Sequence, residues 1–210
     1  LCLCLFLICQ QFISQTNVLF ESDEIINLTF DGPLKDVFKD RWESTSYHKA
    51  TVSYLSGKVQ EKIPLKIKTR GNFRRSAANC KYPPLLLNFP KNKLPHNSLF
   101  DGQNKLKLVT SCRGSEYVIQ EYLVYRLYNL ISPYSFRSRL VNVTYKDSVK
   151  AKTINQSYGI LLEDEKQMAA RNETKMLKQL NLSPLSILRE EFIKMAVFEY
   201  LIGNTDWSVQ

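Results

Sequence analysis

Phe198-Glu-Tyr-Leu-Ile-Gly-Asn-Thr-Asp-Trp207 is the most informative stretch of this sequence. The pattern predicts an apolar helix that stops near Gly203, because glycine just past a helix adopts the left-handed conformation at little cost. The turn that follows presents Asn204 and Asp206 together. A carboxylate held at such a stop can accept a proton from a hydroxyl group or bind a metal ion. A polar turn that only caps the helix explains the same residues, so both interpretations stay open.

Ser183-Pro184 predicts the start of the helix that leads to this turn, with serine as N-cap and proline at the first helical position. The helix is expected to run to about Ile202. From Ile193 onward its residues are apolar nearly all round, which predicts a buried C-terminal half. The helix would then carry the polar turn from the core to a surface or cleft.

The basic loop Arg70-Gly-Asn-Phe-Arg-Arg75 is the second informative segment. It follows the alternating residues Ile63–Thr69, the returning strand of a hairpin whose predicted turn is Ser56-Gly57. Gly71 and Asn72 tolerate positive φ, which predicts a tight loop. Such a loop can present N–H groups and guanidinium groups to phosphate. An exposed turn with solvated arginines is equally compatible with these residues.

The remaining periodicity predicts at least six strands and several helices, and therefore an α+β fold. Besides the hairpin, strands are predicted over 27–30, 85–89, 105–110, 139–145 and 158–164, and helices over 116–131, 165–182 and 184–202.

Glu121 is unusual within the helix predicted over 116–131. Its neighbours one turn away are Tyr117, Val118, Val124 and Tyr125, so its carboxylate lies on the packing side. A carboxylate there is costly unless it is paired. Hydrogen bonds from tyrosine hydroxyl groups and an ion pair with a strand lysine are the two interpretations.

The composition indicates a packed globular domain with a preference for anionic partners. The chain has 210 residues, 44% of them apolar, and a formal net charge of +9. That charge suits nucleotide phosphates, nucleic acid or an anionic surface. Only Arg70, Arg74 and Arg75 form a tight basic group, so nucleic acid is not the favoured partner.

The first residues predict secretion. Leu1–Cys9 is an apolar run that is too short for a transmembrane helix and fits the apolar region of a secretion signal. We therefore assign residues 1–16 to a partial signal and 17–210 to one domain, without a transmembrane segment in the mature chain. The expected location is extracellular or in the cell envelope. A buried N-terminal strand is the alternative.

Two of the five cysteines remain after that leader, Cys80 and Cys112. Each follows a predicted strand, and in an oxidising compartment the two could pair. The chain has only two histidines, His48 and His96, so a zinc centre is not expected.

In chain order these segments resemble the CotH-type atypical kinases, the spore-coat and secreted branch of the kinase-like proteins. The resemblance covers about residues 45–210 and rests on Arg70-Gly71-Asn72, on Tyr158-Gly-Ile-Leu-Leu-Glu163 and on Gly203-Asn-Thr-Asp206. An uncharacterised secreted bacterial subgroup is similar as well. The resemblance implies an atypical protein-kinase-like fold, with an antiparallel-sheet N-lobe over about 25–165 and the start of a helical C-lobe over about 166–210.

The same resemblance implies a secreted ATP-dependent phosphotransferase that uses Mg²⁺ or Mn²⁺ and acts on a hydroxyl group of a protein or small molecule. Glu121 would orient a nucleotide-binding lysine, for which Lys81, Lys105 and Lys107 are open choices. The implied site comprises Asp206 and Asn204 as catalytic residues and Arg70, Gly71, Asn72, Lys81, Lys107, Glu121 and Glu163 around the nucleotide.

Two departures from the family pattern matter. Trp207 replaces the arginine or histidine that follows the aspartate in several relatives, and the second, metal-binding aspartate is expected beyond Gln210. The residues given are therefore expected to be inactive alone. A non-catalytic, pseudokinase-like binding protein is the first alternative, and a basic protein that binds nucleic acid or anionic glycan is the second.

Overall fold

The computed structural model describes residues 18–90, 94–95, 98–177 and 183–205, which form seven strands and four α-helices. The strands are β1 (Ile26–Gly32), β2 (His48–Ser56), β3 (Val59–Thr69), β4 (Leu85–Asn88), β5 (Lys105–Thr110), β6 (Ser138–Asp147) and β7 (Lys152–Leu162). The helices are α1 (Leu34–Lys39), α2 (Ser115–Ile131), α3 (Glu165–Arg171) and α4 (Arg189–Leu201).

The strands close into one barrel in the order β1-β2-β3-β4-β5-β7-β6. Neighbouring strands are antiparallel except for β1 and β6, which run parallel from the pair Ile26 and Val141 to the pair Gly32 and Asp147. Closure pairs every strand on both sides, so the sheet has no open edge.

The predicted α+β, kinase-like fold with two lobes is therefore wrong. The structure is a closed, mixed seven-stranded barrel with few helices, and the described residues form no helical C-terminal lobe. The strands themselves were predicted, because alternation along the chain is a local signal. The parallel β1–β6 pair was not predicted, because it joins segments that lie far apart in the sequence.

Aromatic side chains fill the barrel interior. Tyr145 is fully buried and packs against Phe30, Phe38 and Tyr82, with ring centroids 6.3, 5.5 and 6.3 Å away. Each such ring contributes roughly 1.5–3 kcal/mol by its burial. The predicted alternation of β3 is confirmed, because Ile63, Leu65 and Ile67 are all buried within this core.

Helix α2 packs on the outside of the barrel through a second, smaller apolar cluster. Val118 and Tyr122 of α2 contact Leu140 of β6 and Ile160 and Leu162 of β7. The predicted bounds of this helix are confirmed to within one residue. Because this face of α2 is buried against the barrel, its other faces are left for polar contacts.

Helix α4 differs from its prediction. It begins at Arg189, after a short 3-10 helix at Pro184–Ser186, and only Phe198 is buried within it. Tyr200 and Leu201 are 86% and 73% exposed, so the expected buried C-terminal half is wrong. Apolar residues all round a helix make its burial favourable, but the helix is buried only where other parts of the protein cover it.

Two predicted features lie outside the described residues, namely the secretion signal over 1–16 and the turn residues Asp206 and Trp207. None of the described helices combines the length and the apolar character needed to cross a bilayer.

Cys80 and Cys112 form a disulfide with a Cα–Cα distance of 4.6 Å. The bond ties the segment between β3 and β4 to the segment between β5 and α2. The possible pairing of these two cysteines is thereby confirmed.

Replacing both cysteines (Cys80→Ala with Cys112→Ala) should lower the free energy of unfolding by about 2–4 kcal/mol, since a cross-link over 32 residues restricts the unfolded chain. Urea unfolding followed by circular dichroism measures the loss. Reducing agent should lower the native protein to the stability of the double variant and leave the variant unchanged. An equal effect of reductant on both proteins would contradict this assignment.

Candidate functional site

The basic loop follows β3 directly and is held by its backbone. The Arg70 N–H donates to the Pro84 carbonyl at 2.9 Å, and Phe73–Arg75 form a 3-10 helix. Gly71 has φ of +90°, a conformation that side-chain-bearing residues rarely adopt. The prediction of a tight loop at a strand end is confirmed.

The Arg41 side chain holds the segment around the basic loop by donating hydrogen bonds to backbone carbonyls. Its Nε donates to the Phe38 carbonyl at 2.7 Å, its Nη1 to the carbonyls of Arg75 and Cys80 at 3.0 and 2.8 Å, and its Nη2 to that of Lys81 at 2.6 Å. Burial lowers the pKa of this guanidinium. Sequence reasoning missed Arg41, because no local pattern distinguishes it from any other arginine after a short helix.

Glu121 forms an ion pair with the loop. Both Nη atoms of Arg74 lie 3.1 Å from its Oε2, and the Glu121 side chain is 28% exposed. The partner is therefore an arginine of the basic loop, rather than the strand lysine or the tyrosine hydroxyl groups considered from sequence. The pair joins the loop to α2.

Lys107 of β5 forms a second ion pair, with Glu165 at the start of α3. The hydrogen bond from Lys107 lowers the pKa of Glu165 most, and the charges of Lys107 and Arg70 lower it further against the effect of burial. Lys81, the other lysine of the implied site, is exposed and lies 5.3 Å from the Tyr82 ring centroid.

Arg70 is the partly buried cation at the start of the basic loop. Its side chain is partly buried, and within the described residues its guanidinium makes no hydrogen bond and no ion pair. Burial lowers its pKa, while the nearby Glu165 and Tyr125 raise it. A partly desolvated cation with unused donors is a binding element for an anion.

Tyr125 lies among these groups. The pKa of its hydroxyl is raised to about 12, chiefly by burial and then by the charge of Glu121, while the charges of Arg74 and Arg70 oppose the rise. Glu199 of α4 also raises this pKa, and α4 packs against α2 through Phe198 and Tyr128, whose ring centroids are 4.9 Å apart. Sequence reasoning named Tyr125 only as a neighbour of Glu121.

Asn204 connects to this neighbourhood through Glu199. Its Nδ2 donates to Glu199 Oε2 at 2.6 Å, and its N–H donates to the Glu199 carbonyl at 3.0 Å. Asn204 itself is exposed at the end of α4 and is held to Glu199. We call Arg70, Arg74, Lys107, Glu121, Tyr125 and Glu165 the charged cluster.

Glu163 does not join the charged cluster. It is 2% exposed, and Arg171 Nε and Nη2 donate to its two carboxylate oxygens at 3.2 and 3.0 Å. The Arg137 N–H donates to the same carboxylate at 3.0 Å. Breaking such a buried pair costs roughly 3–5 kcal/mol, so Glu163 holds α3 in place.

Asn72, another residue of the implied nucleotide site, is exposed on the basic loop.

A cavity of about 280 Å³ adjoins the ion pair between Arg74 and Glu121. Phe73 and Tyr117, which are 70% and 55% exposed, line it together with Arg113. Two aromatic side chains beside a pair of arginines suit a planar ring that is joined to a negatively charged group. In the described part of the chain, no three His, Cys, Asp or Glu residues are grouped so that they could hold a metal ion.

A comparison with protein-family models finds no matching family, and a comparison with curated proteins finds no significantly similar sequence.

The ion pair of Glu165 makes stability depend on pH. Because the pKa of Glu165 is lowered from 4.5, its contribution is present above that value and disappears as the pH falls through the lowered pKa. Glu165→Gln should therefore destabilise the protein at pH 7, by less than about 1 kcal/mol because the side chain is 43% exposed. Urea unfolding from pH 7 to pH 3 should show this difference shrinking.

Glu21→Gln is the matched control, because Glu21 is exposed and makes no ion pair within the described residues. A difference between native protein and Glu165→Gln that persists unchanged at pH 3 would contradict the ion pair.

Proposed function

We propose that the charged cluster binds the phosphate groups of ATP and that the protein is an ATP-dependent phosphotransferase acting on a hydroxyl acceptor. The observation that carries the proposal is the partly buried guanidinium of Arg70, whose donors are unused within the described residues. Because the barrel differs from the predicted kinase-like architecture, the proposal rests on the cluster and not on the fold.

Phosphate supplies what the Arg70 side chain lacks. A guanidinium presents a planar fork of N–H donors that matches two phosphate oxygens, and charge-assisted bonds of this kind contribute about 1.5–3 kcal/mol each. The free protein bears the cost of a desolvated cation, and a bound phosphate offsets that cost.

The two ion pairs orient two further cations near Arg70, namely Arg74 and Lys107. Glu121 keeps the Arg74 side chain in one orientation, and Glu165 does the same for Lys107. Pre-oriented cations lose less conformational entropy when a ligand binds. Glu121 would thus orient a phosphate-binding cation as the sequence implied, although its partner is an arginine.

The adjoining cavity gives a place for the nucleoside. A base stacked against Phe73 or Tyr117 would gain roughly 1–3 kcal/mol, the range known for stacking of bases on aromatic side chains. The phosphates would then point towards Arg74, which lines the same cavity.

The cluster fits phosphate better than it fits a metal ion. Both of its carboxylates, Glu121 and Glu165, are already ion-paired with cations. Mg²⁺ or Mn²⁺ would accompany the nucleotide, bound largely through phosphate oxygens, and would neutralise phosphate charge. We assign no residue of the cluster as a metal ligand.

Asp206 is the proposed catalytic residue, which would orient the acceptor hydroxyl group and accept its proton. Its neighbour Asn204 is hydrogen-bonded to Glu199, whose charge acts on Tyr125 of the cluster.

Arg70→Gln should weaken ATP binding by about tenfold to a hundredfold, since it removes the unpaired guanidinium. Arg70→Lys should restore part of the loss, because it keeps the charge without the planar fork. Isothermal titration calorimetry with ATP and Mg²⁺ on the full-length protein measures both effects. Arg189→Gln, an exposed arginine of α4, is the control and should bind like the native protein. Absence of ATP binding by the folded native protein would refute the proposal.

Asp206→Asn should abolish transfer of the γ-phosphate and leave ATP binding within about twofold of the native protein, since the aspartate is proposed to act on the acceptor and not on the nucleotide. Transfer is measured with radiolabelled ATP and the full-length protein, with autophosphorylation as the readout. If the native protein binds ATP and transfers no phosphate, the non-catalytic alternative is supported instead.

A further inference from the structure

A straight row of outward-facing polar side chains crosses the barrel wall. The register pairs Lys49 of β2 with Lys66 of β3, Lys66 with Asn88 of β4, and Asn88 with Lys105 of β5. All three lysines are exposed. Because adjacent strands lie about 4.8 Å apart, the lysine row (Lys49, Lys66, Asn88 and Lys105) spans roughly 14 Å.

The lysine row is electrostatically uncompensated. Lys49 and Lys66 are directly opposite each other on antiparallel strands, an arrangement in which like charges destabilise the sheet. None of the three lysines forms an ion pair with another described residue. Departures from a locally favourable sequence are concentrated at functional sites, where a ligand compensates them.

The surface next to the row is rich in hydroxyl and amide groups. Lys49 also lines a shallow groove of about 650 Å³, together with Thr51, Ser53, Gln60 and Lys62. The one carboxylate in the lining, Asp31, lies 3.8 Å from Lys146 Nζ and is thereby paired with a cation. Hydroxyl and amide side chains both donate and accept hydrogen bonds, as sugar hydroxyl groups require. The row and groove together suit a ligand that combines regularly spaced anions with many hydroxyl groups.

Two other anionic surfaces fit less well. Single-stranded nucleic acid is held largely by bases stacked on aromatic side chains, and the outward positions of β2–β5 carry none. A membrane would be contacted by the exposed Leu55 and Val59 of the hairpin tip, but Leu55 lies six residues along β2 from Lys49, about 20 Å away.

We propose that the lysine row and the adjoining groove bind a linear acidic polysaccharide. The carboxylate or sulfate groups of the chain pair with Lys49, Lys66 and Lys105, and its hydroxyl groups bond to the groove. Charge complementarity carries the assignment, because the row concentrates positive charge on a polar wall. The proposal does not rest on nucleotide binding, although Lys105 lies two residues along β5 from Lys107 of the charged cluster.

The test compares two triple variants that lose the same charge. Lys49→Gln, Lys66→Gln and Lys105→Gln remove the row, whereas Lys58→Gln, Lys150→Gln and Lys175→Gln remove three exposed lysines elsewhere. Binding of labelled polygalacturonate is measured by fluorescence anisotropy from about 50 to 200 mM NaCl. The row variant should bind about tenfold more weakly and with a weaker salt dependence, and the control within about twofold of the native protein.

Stability is measured in the same experiment to separate binding from folding. The row variant should melt no lower than the native protein, because it removes the repulsion between Lys49 and Lys66. Equal losses of affinity in the two variants would overturn the proposal, as would the absence of salt-sensitive binding by the native protein. Tighter binding of a single-stranded DNA oligonucleotide than of polygalacturonate would assign the row to nucleic acid instead.

Discussion

The parallel ladder between β1 and β6 closes the sheet into a barrel. It pairs Ile26–Gly32 with Val141–Asp147 and converts an otherwise antiparallel sheet into a closed barrel. The buried Arg139 reinforces it, since its Nε and Nη1 donate to the carbonyls of Glu24 and Leu19 at 2.6 and 3.2 Å. Without closure, β1 and β6 would be open edges, and the aromatic core around Tyr145 would lose one wall.

The rigid wall explains how a short basic loop becomes an ordered site. β3 and β5 position Arg70 and Lys107, α2 presents Glu121 and Tyr125, and the disulfide and Arg41 hold the loop against them. Each of these contacts restricts one side chain or one loop segment. The hydrogen-bond donors of the charged cluster are therefore already oriented in the free protein. At the proposed phosphate site, preorganisation of this kind would supply much of the affinity.

Local sequence patterns predicted the positions of the strands and helices better than they predicted which side chains contact each other. The alternation over 105–110 predicted β5 to the residue, and the bounds of α2 were correct to within one position. The partner of Glu121 was not predictable, since any cation within reach would relieve its burial and only the fold selects Arg74. The resemblance implied a place for Glu163 near the nucleotide, and in the structure its carboxylate pairs with Arg171, a partner that no local pattern predicts.

Local sequence patterns were enough to predict the strands, the hairpin, the tight Arg70 loop and a carboxylate on the packing side of α2. These features follow from periodicity and from the conformational freedom of Gly71, which act over a few residues. Closure of the sheet through β1 and β6, and the exposure of most of the apolar surface of α4, became visible only in the folded chain. Closure, burial and ion-pair choice depend on which distant segments meet, and that information is spread over the whole chain.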